Sequence, residues 1–488
     1  MGVHPEYLNL FAALSSEGIR HCLLRDELES GQFVGDLDLL VDECRGDDAL
    51  DTLARLGYRV RTTSRYLPYK TVLVKFIDGA YVVIDLHFRI VQNGVVLLNS
   101  DAVLDSSALR DACPLPSDID LLAILVLHNI LGKGKIQEKH QPKINRLSDC
   151  VDLGEFQQRV AGLSSEKVAE IVTAVVRDLD SYVDSSGVWP SLRDELITAY
   201  HRIDGGLRWR LIRRRIMAFW RASSPFPRAP LYALTGVDGA GKSSLNEALL
   251  DAFNRPGGFP AVTEYMGPWG HYRLSFVKGE LFSPGWSLTT ADWLRGMFSK
   301  RSGERPGVRI SARVIIKMAR GQSLSEKEQR VHENIRTNSR VFLTLRYFRS
   351  VFAAAKFLMV LMVEMYYRYF IVYKYRRRGV TVITDRYIYD LMTGRMHDMI
   401  PNYRRLRAFL CWVFPRPTRV FLLYNNPEVI LARKDDLSEV VLRQFIKHYD
   451  EQAEKYAFEK VLTNRPPEAL ANDMIADHFA EIVDKVRT

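Results

Sequence analysis

Hydrophobic and polar positions follow both strand-like and helix-like patterns in the first part of the chain. "VGDLDLLVDE" and "AYVVIDLHFRI" are apolar or alternating runs of strand length, rich in valine, isoleucine and leucine. Between them, "GDDALDTLARLGY" has helical spacing and ends near a glycine. Residues 1–115 are therefore predicted to form an α+β domain.

The pattern becomes mostly helical over residues 116–225. "SSEKVAEIVTAVV" places Glu166 directly after Ser164 and Ser165, as at a capped helix start. The region ends in a predicted basic helix, residues 207–221, followed by the linker "SSPFPRAP".

The basic helix is amphipathic. Its apolar stripe consists of Trp209, Ile212, Ile216 and Phe219 or Trp220. It is bordered by Arg210, Arg213, Arg214 and Arg221. No acidic residue occurs from Gly205 through Val237, so the helix suits an anionic membrane surface or nucleic acid. We expect the more ordinary outcome, in which the stripe packs against a neighbouring domain.

Strand and helix patterns alternate over residues 226–488. The strand candidates are "PLYALTG", "GVTVIT", "RVFLLY" and "EKVLTN". "SSLNEALLDAF" and "PPEALANDMIADHFAEIVDKV" have helical spacing. This alternation predicts a parallel sheet flanked by helices. The chain as a whole is predicted to be a multidomain α/β protein.

One long apolar run, residues 351–375, has the length of a membrane span. Lys356, Glu364 and Arg368 interrupt it, and each would cost about 2.5–3.5 kcal/mol at the centre of a bilayer. The run is therefore predicted to be a long core helix of a soluble domain.

Composition limits the class of protein, the number of domains and the cellular compartment. The 488 residues are 47% hydrophobic and 26% charged, as in globular proteins, and are enough for two to four domains. The N-terminus lacks a secretory pattern, and the scattered cysteines lack the spacing of a zinc site or a disulfide framework. A cytoplasmic location is therefore expected. The net charge of +10 fits a protein that handles phosphates, and homodimerisation is compatible with the sequence.

"TGVDGAGKSSL" is the clearest chemical motif in the chain. Its glycines permit a tight loop whose N–H groups point at phosphate oxygens, and the following helix adds its positive dipole end. Lys242 supplies a charge to the outer phosphates, and Ser243 supplies a hydroxyl ligand for Mg²⁺. The ATP-binding residues are predicted to be Gly236, Asp238, Gly239, Ala240, Gly241, Lys242, Ser243 and Ser244.

Two later segments complete a phosphoryl-transfer pattern. "VITDRYIYD" ends a strand, so Asp385 and Arg386 are expected to face the phosphates, the first holding Mg²⁺ and the second an acceptor phosphate. Arg433 follows the strand "RVFLLY" on a charged helical segment suited to neutralising the transferred phosphoryl group. Lys242, Asp385, Arg386 and Arg433 are thus the predicted catalytic residues.

With these motifs in order, residues 229–488 resemble the thymidylate kinase family of P-loop nucleoside monophosphate kinases. The resemblance implies that Asp238 approaches the sugar hydroxyl of the acceptor, Arg386 its phosphate and Arg433 the transferred phosphoryl group. ATP and Mg²⁺ are the implied cofactors. Residues 254–379, which include the basic "SKRSGERPGVRISARVIIKMARGQS", form a longer segment than the family has there. The acceptor is therefore given only as a nucleoside monophosphate or a related phosphorylated small molecule.

Carboxylates recur in the first domain. Asp36 and Asp38 lie two apart on a predicted strand and point to the same side, and Asp85 lies on a later strand. Three such carboxylates can hold two Mg²⁺ ions. Residues 7–95 resemble the nucleotidyltransferase fold of the polymerase-beta superfamily, although "SGQFVGDLD" replaces the usual Gly-Ser before the carboxylates.

Three functions therefore remain open. The first is a P-loop kinase fused to a degenerate nucleotidyltransferase domain. The second is a nucleotidyltransferase whose P-loop domain is regulatory. The third is a non-catalytic switch, in which ATP orders the segment around Arg433 without an acceptor.

Overall fold

The structure is a computed structural model that carries side chains. The residues it describes are 4–25, 36–64, 67, 69–110, 113–184, 187–223, 226–268, 273–274, 325–326, 329, 340–393, 404–433 and 438–487. The residues before Asp36 that replace the Gly-Ser motif, and the basic segment 299–323, lie outside these ranges.

The first part of the chain is built on a five-stranded mixed sheet in the order β1-β2-β5-β4-β3. Its strands are β1 (His21–Leu23), β2 (Asp36–Val41), β3 (Arg59–Thr62), β4 (Lys70–Ile77) and β5 (Ala80–His87). Only β2 and β5 pair in parallel, and their register sets Asp38 opposite Asp85. Helices α1 (Pro5–Ser16) and α2 (Gly46–Arg55) pack with this sheet.

Two short antiparallel pairs lead out of this sheet. They are formed by β6 (Ile90–Gln92), β7 (Val95–Leu98), β8 (Ala108–Arg110) and β9 (Cys113–Leu115), with α3 (Ser100–Asp105) between them. The helices that follow are α4 (Asp118–His128), α5 (Gln141–Cys150), α6 (Leu153–Leu163), α7 (Glu166–Arg177), α8 (Leu179–Asp184), α9 (Trp189–Ile203) and α10 (Leu207–Ser223). Ser165 caps α7 through the Val168 N–H, as the sequence predicts.

The last part contains a five-stranded, wholly parallel sheet in the order β11-β12-β10-β13-β14. The strands are β10 (Leu231–Thr235), β11 (Ala261–Tyr265), β12 (Thr381–Asp385), β13 (Arg419–Tyr424) and β14 (Glu459–Leu462). The helices are α11 (Lys242–Phe253), α12 (Arg340–Arg377), α13 (Arg404–Val413), α14 (Pro427–Arg433), α15 (Glu439–Tyr456) and α16 (Pro467–Val486). The predicted parallel sheet is confirmed, and the sequence pattern missed its half-buried edge strand β11.

The two sheets share a hydrophobic core. Tyr81 of β5 contacts Phe259 edge-on, with ring centroids 5.7 Å apart, and both rings lie within 6.5 Å of Phe479 on α16. A Cβ on Gly257, which has φ +75°, would stand 2.8 Å from a methyl carbon of Val83. The first sheet and the parallel sheet therefore form one packed unit.

The apolar run of residues 351–375 lies in the long helix α12. Glu364 and Arg368 are buried and form an ion pair of 2.8 Å, one helical turn apart. Glu364 also accepts the backbone N–H groups of Arg273 and Leu274. Within the described ranges, no helix combines the length and apolarity needed to cross a bilayer.

The apolar stripe of α10 does not pack as expected. Trp209, Phe219 and Trp220 are each more than two-thirds exposed, and Ile212 and Ile216 are about half exposed. The opposite side of α10 makes the contacts: Leu211 lies 3.6 Å from the Cβ position of Gly94, and Arg210 donates to the Gly94 carbonyl. The expectation that the stripe packs on a neighbouring domain is therefore wrong.

Candidate functional site

The glycine-rich loop lies between β10 and α11 at the carboxyl edge of the parallel sheet. Gly236 has φ +141°, and a Cβ there would stand 2.4 Å from the Leu423 carbonyl oxygen, so only glycine fits. Gly239 and Gly241 also have positive φ, and Gly241 is the residue before α11. Ala240 is buried and donates its N–H to the Val237 carbonyl. The loop thus turns tightly back into the first turn of α11.

The side chain of Lys242, the first residue of α11, lies inside this loop. Its buried ammonium donates to the carbonyls of Gly236 and Val237, at 3.0 and 2.8 Å, and to Asp238 at 3.3 Å. Burial lowers the pKa of Lys242, and the charge of Arg386 lowers it further. Ser243 and Ser244 follow on the exposed first turn of α11, where backbone N–H groups have no partner within the helix. The ammonium group of Lys242 and the backbone N–H groups at the start of α11 thus lie at one place, as anion binding requires.

Arg386 reaches the loop from the neighbouring strand. β12 pairs in parallel with β10, with Asp385 opposite Leu234, and the Arg386 N–H bonds to the Leu234 carbonyl at 2.8 Å. The guanidinium forms ion pairs with Asp238 in the loop and with Asp390. Arg386 has φ +66°, a conformation that costs a non-glycine residue free energy and that the surrounding contacts hold.

Asp390 is a site residue that the sequence analysis missed. Its fully buried carboxylate accepts from Arg386 at 2.7 Å, Thr235 at 3.0 Å and the Tyr449 hydroxyl at 3.3 Å. Burial alone would lower the pKa of Arg386, but the combined effect of Asp390, Tyr449 and Asp238 outweighs burial and the pKa is raised. The signal was present in "DRYIYD", where the second carboxylate follows Arg386 by four residues.

Asp385 has a free coordination position. Its Oδ1 atom is buried and makes no hydrogen bond within the described structure. Burial raises the pKa of this carboxyl group, and the charge of Lys242 opposes the effect. An unsatisfied carboxylate oxygen beside a phosphate loop fits a Mg²⁺ ion or a water bound to it.

Arg433, at the end of α14, donates to the Gly239 carbonyl at 3.4 Å. Predicted site residues from three elements therefore meet at the loop: Lys242 from α11, Asp385 and Arg386 at the end of β12, and Arg433 from α14. Lys434, the next residue along the chain, lies outside the described residues.

The first sheet brings two of its three predicted carboxylates together. Asp38, Asp85 and His87 have ligand atoms within 4.8 Å of one another. Asp36, at the exposed start of β2, is outside this group. His87 was not predicted, although it follows Asp85 by two residues on β5 and so points to the same side of the strand; its place beside Asp38 follows from the pairing of β2 with β5.

Protein side chains already pair with both carboxylates of this cluster. Asp38 accepts from His87 at 3.1 Å and from Arg25 at 3.1 Å, and Asp85 is paired with Lys70. Burial alone would raise the pKa of Asp38, but His87 and Arg25 outweigh it and the pKa is lowered. Burial raises the pKa of Asp85, with Lys70 opposing. With Asp36 outside and the carboxylates paired, the residues do not fit a two-metal site.

Comparisons with known proteins add little to this geometry. No protein-family model and no curated protein matches the chain. Among solved structures, a thymidylate kinase from Candida albicans is similar at a TM-score of 0.29 and 10% identity, over 53% of this chain and 95% of that chain. A likeness at this level carries no argument about function.

Proposed function

We propose that the protein is a P-loop phosphotransferase that moves the γ-phosphoryl group of ATP to a phosphorylated small-molecule acceptor, such as a nucleoside monophosphate. The observation that carries the proposal is the parallel pairing of β10 with β12. It brings Asp385 and Arg386 to the glycine loop that holds Lys242. Phosphoryl transfer needs this combination, because catalysis rests on positioning and on neutralising charge.

Each residue has a role that its contacts support. The loop N–H groups and Lys242 bind the outer phosphates of ATP, and Arg433 neutralises the phosphoryl group as it moves. Arg386, which is paired with Asp390, would bind the acceptor phosphate, and Asp238 would bind an acceptor hydroxyl. Ser243 and Asp385 would hold Mg²⁺, which supplies charge neutralisation between the phosphates.

The test is phosphoryl transfer from γ-labelled ATP to a panel of nucleoside monophosphates and sugar phosphates. The Lys242→Ala variant should lose at least about 100-fold in rate, because it lacks a charge that stabilises the transition state. Lys447→Ala, an exposed lysine on α15, is the control and should retain the full rate. ATP binding with no transfer to any acceptor would instead favour the switch, and equal rates for Lys242→Ala and wild type would refute the proposal.

For the first sheet, we propose that it does not transfer nucleotides. The observation is that Asp38 is paired with Arg25 and hydrogen-bonded to His87, and that Asp85 is paired with Lys70. Incubation with α-labelled nucleoside triphosphates should give no covalent label in wild type. Label that appears in wild type and disappears in Asp38→Asn would contradict this and would make the first domain a second enzyme.

A further inference from the structure

The exposed apolar stripe of α10 is a feature that the proposed reaction does not use. Its five apolar residues fall within about 100° of one another around the helix. They are Trp209, Ile212, Ile216, Phe219 and Trp220, all exposed. Leu211, about 130° from the middle of the stripe, packs against the core of the helical region. One side of α10 thus holds the helix on the protein, and the apolar side faces outward.

Positive charge flanks the stripe. The sequence places six arginines in α10, and no acidic residue follows Gly205 until after Val237. Arg213 and Arg215 are exposed, whereas Arg210 is paired with Asp204. An exposed apolar face bordered by exposed guanidinium groups matches a binding partner that has an apolar interior beneath a negatively charged surface.

We infer that α10 docks the protein on an anionic lipid bilayer, with its apolar stripe at the boundary between headgroups and acyl chains. The tryptophans have amphipathic rings that suit the headgroup level, and the arginines meet the lipid charge. Nucleic acid explains the stripe less well, because Ile212 and Ile216 neither stack on bases nor bind phosphate. A second copy of the chain fits poorly too, because face-to-face α10 helices would bring arginines together without acidic partners.

The test measures binding of the full-length protein to vesicles in about 50 mM salt, where surface charge is weakly screened. The vesicles are phosphatidylcholine alone, or phosphatidylcholine with about one-third phosphatidylserine. Wild type should bind the anionic vesicles at least about tenfold more tightly than the neutral ones. Its tryptophan emission should shift to the blue as Trp209 and Trp220 enter the bilayer.

Two variants examine the two parts of the surface. Trp209→Ser with Phe219→Ser and Trp220→Ser removes the apolar side and should weaken binding by about tenfold or more. Arg213→Glu with Arg215→Glu reverses the charge and should do the same. The residues are exposed, so both variants should fold, which circular dichroism verifies.

Matched controls separate α10 from the rest of the surface. Arg177→Glu with Arg193→Glu makes the same charge change at exposed sites on α7 and α9. Leu109→Ser with Val440→Ser removes exposed apolar residues elsewhere. Both controls should bind like wild type.

Two outcomes would overturn the inference. The first is wild type that does not bind anionic vesicles at low salt. The second is vesicle binding that the aromatic variant leaves intact. After either outcome, a wild-type dimer in sedimentation, or tight binding of a single-stranded oligonucleotide, that the α10 variants abolish would identify the occupant of α10 as a second copy of the chain or a nucleic acid.

Discussion

At the scale of single residues, Arg386 and Asp390 are the centre of the proposed acceptor site. Arg386 is held in a left-handed conformation by its backbone bond to Leu234 and by two ion pairs. Asp390 in turn is held by Thr235 and Tyr449, which come from β10 and α15. The buried carboxylate of Asp390 therefore connects the end of β10, the residue that follows β12, and α15.

The first prediction concerns Asp390. Asp390→Asn removes the charge that orients Arg386, so the KM for the phosphorylated acceptor should rise about 10- to 100-fold, the range expected for a charge-assisted hydrogen bond. Steady-state kinetics at saturating ATP measure it. Tyr449→Phe, which loses only a neutral hydroxyl donor to the same carboxylate, should have a smaller effect. An unchanged KM in Asp390→Asn would show that Asp390 does not position Arg386 for the acceptor.

The second residue-scale prediction concerns pH. Burial, and next the charge of Arg25 at 3.0 Å from Nε2, lower the pKa of His128 from 6.5 to about 3. Between these values the unfolded chain binds a proton that the folded chain does not, so acid should destabilise the protein. The free energy of unfolding should fall by at most about 1.4 kcal/mol per pH unit below pH 6.5 through this group.

Urea unfolding at several pH values measures this contribution. In His128→Gln the dependence of stability on pH between 6.5 and 3 should be shallower than in wild type. Identical slopes in the two proteins would mean that His128 is protonated equally in the folded and unfolded chains.

At the scale of elements, α12 shows that charged residues within a long apolar run can be buried in a protein core. Glu364 and Arg368 are fully buried, yet each is compensated: Glu364 by Arg368 and two backbone N–H groups, and Arg368 by the Gly267 carbonyl at 2.9 Å. The pair joins α12 to the segment that follows β11. Charges that would oppose membrane insertion thus serve the packing of the parallel sheet.

Breaking this pair should be costly. Glu364→Ala removes the carboxylate that balances the buried charge of Arg368 and should lower the free energy of unfolding by about 3–5 kcal/mol. The double variant Glu364→Leu with Arg368→Met removes both charges and should cost less than Glu364→Ala alone. Denaturant unfolding compares them, and a double variant less stable than the single variant would argue against a compensated buried pair.

At the scale of the whole molecule, the two sheets are expected to unfold together. Phe479 is nearly buried and lies close to Phe76, Tyr81 and Phe259 at the contact between β4, β5 and α16. Phe479→Ala should cost about 3–5 kcal/mol and should split a single calorimetric transition into two, because the two sheets lose part of their shared core.

The control for this prediction is Phe409→Ala, since Phe409 on α13 is about half exposed and should contribute little. Two separate transitions already present in wild type would contradict a shared core.

The sequence predicted what depends on local patterns and missed what depends on distant pairing. The glycine loop, the strand ending at Asp385 and the parallel sheet follow from short motifs and periodicity. Asp38 meets Asp85 and His87 only through the register of β2 with β5, and Tyr81 meets Phe479 only through tertiary packing. The exposure of the α10 stripe was also beyond prediction, because an amphipathic pattern does not identify what its apolar side contacts.

The strand order of the parallel sheet has a consequence for synthesis on the ribosome. The first sheet is complete once β5 ends at His87, whereas β10, at the centre of the second sheet, waits for β12 and β13. Until α16 emerges, Tyr81 and Phe76 lack the ring of Phe479. The nascent chain therefore presents an aromatic surface through most of its elongation, and we expect chaperone contact and slow, late completion of folding.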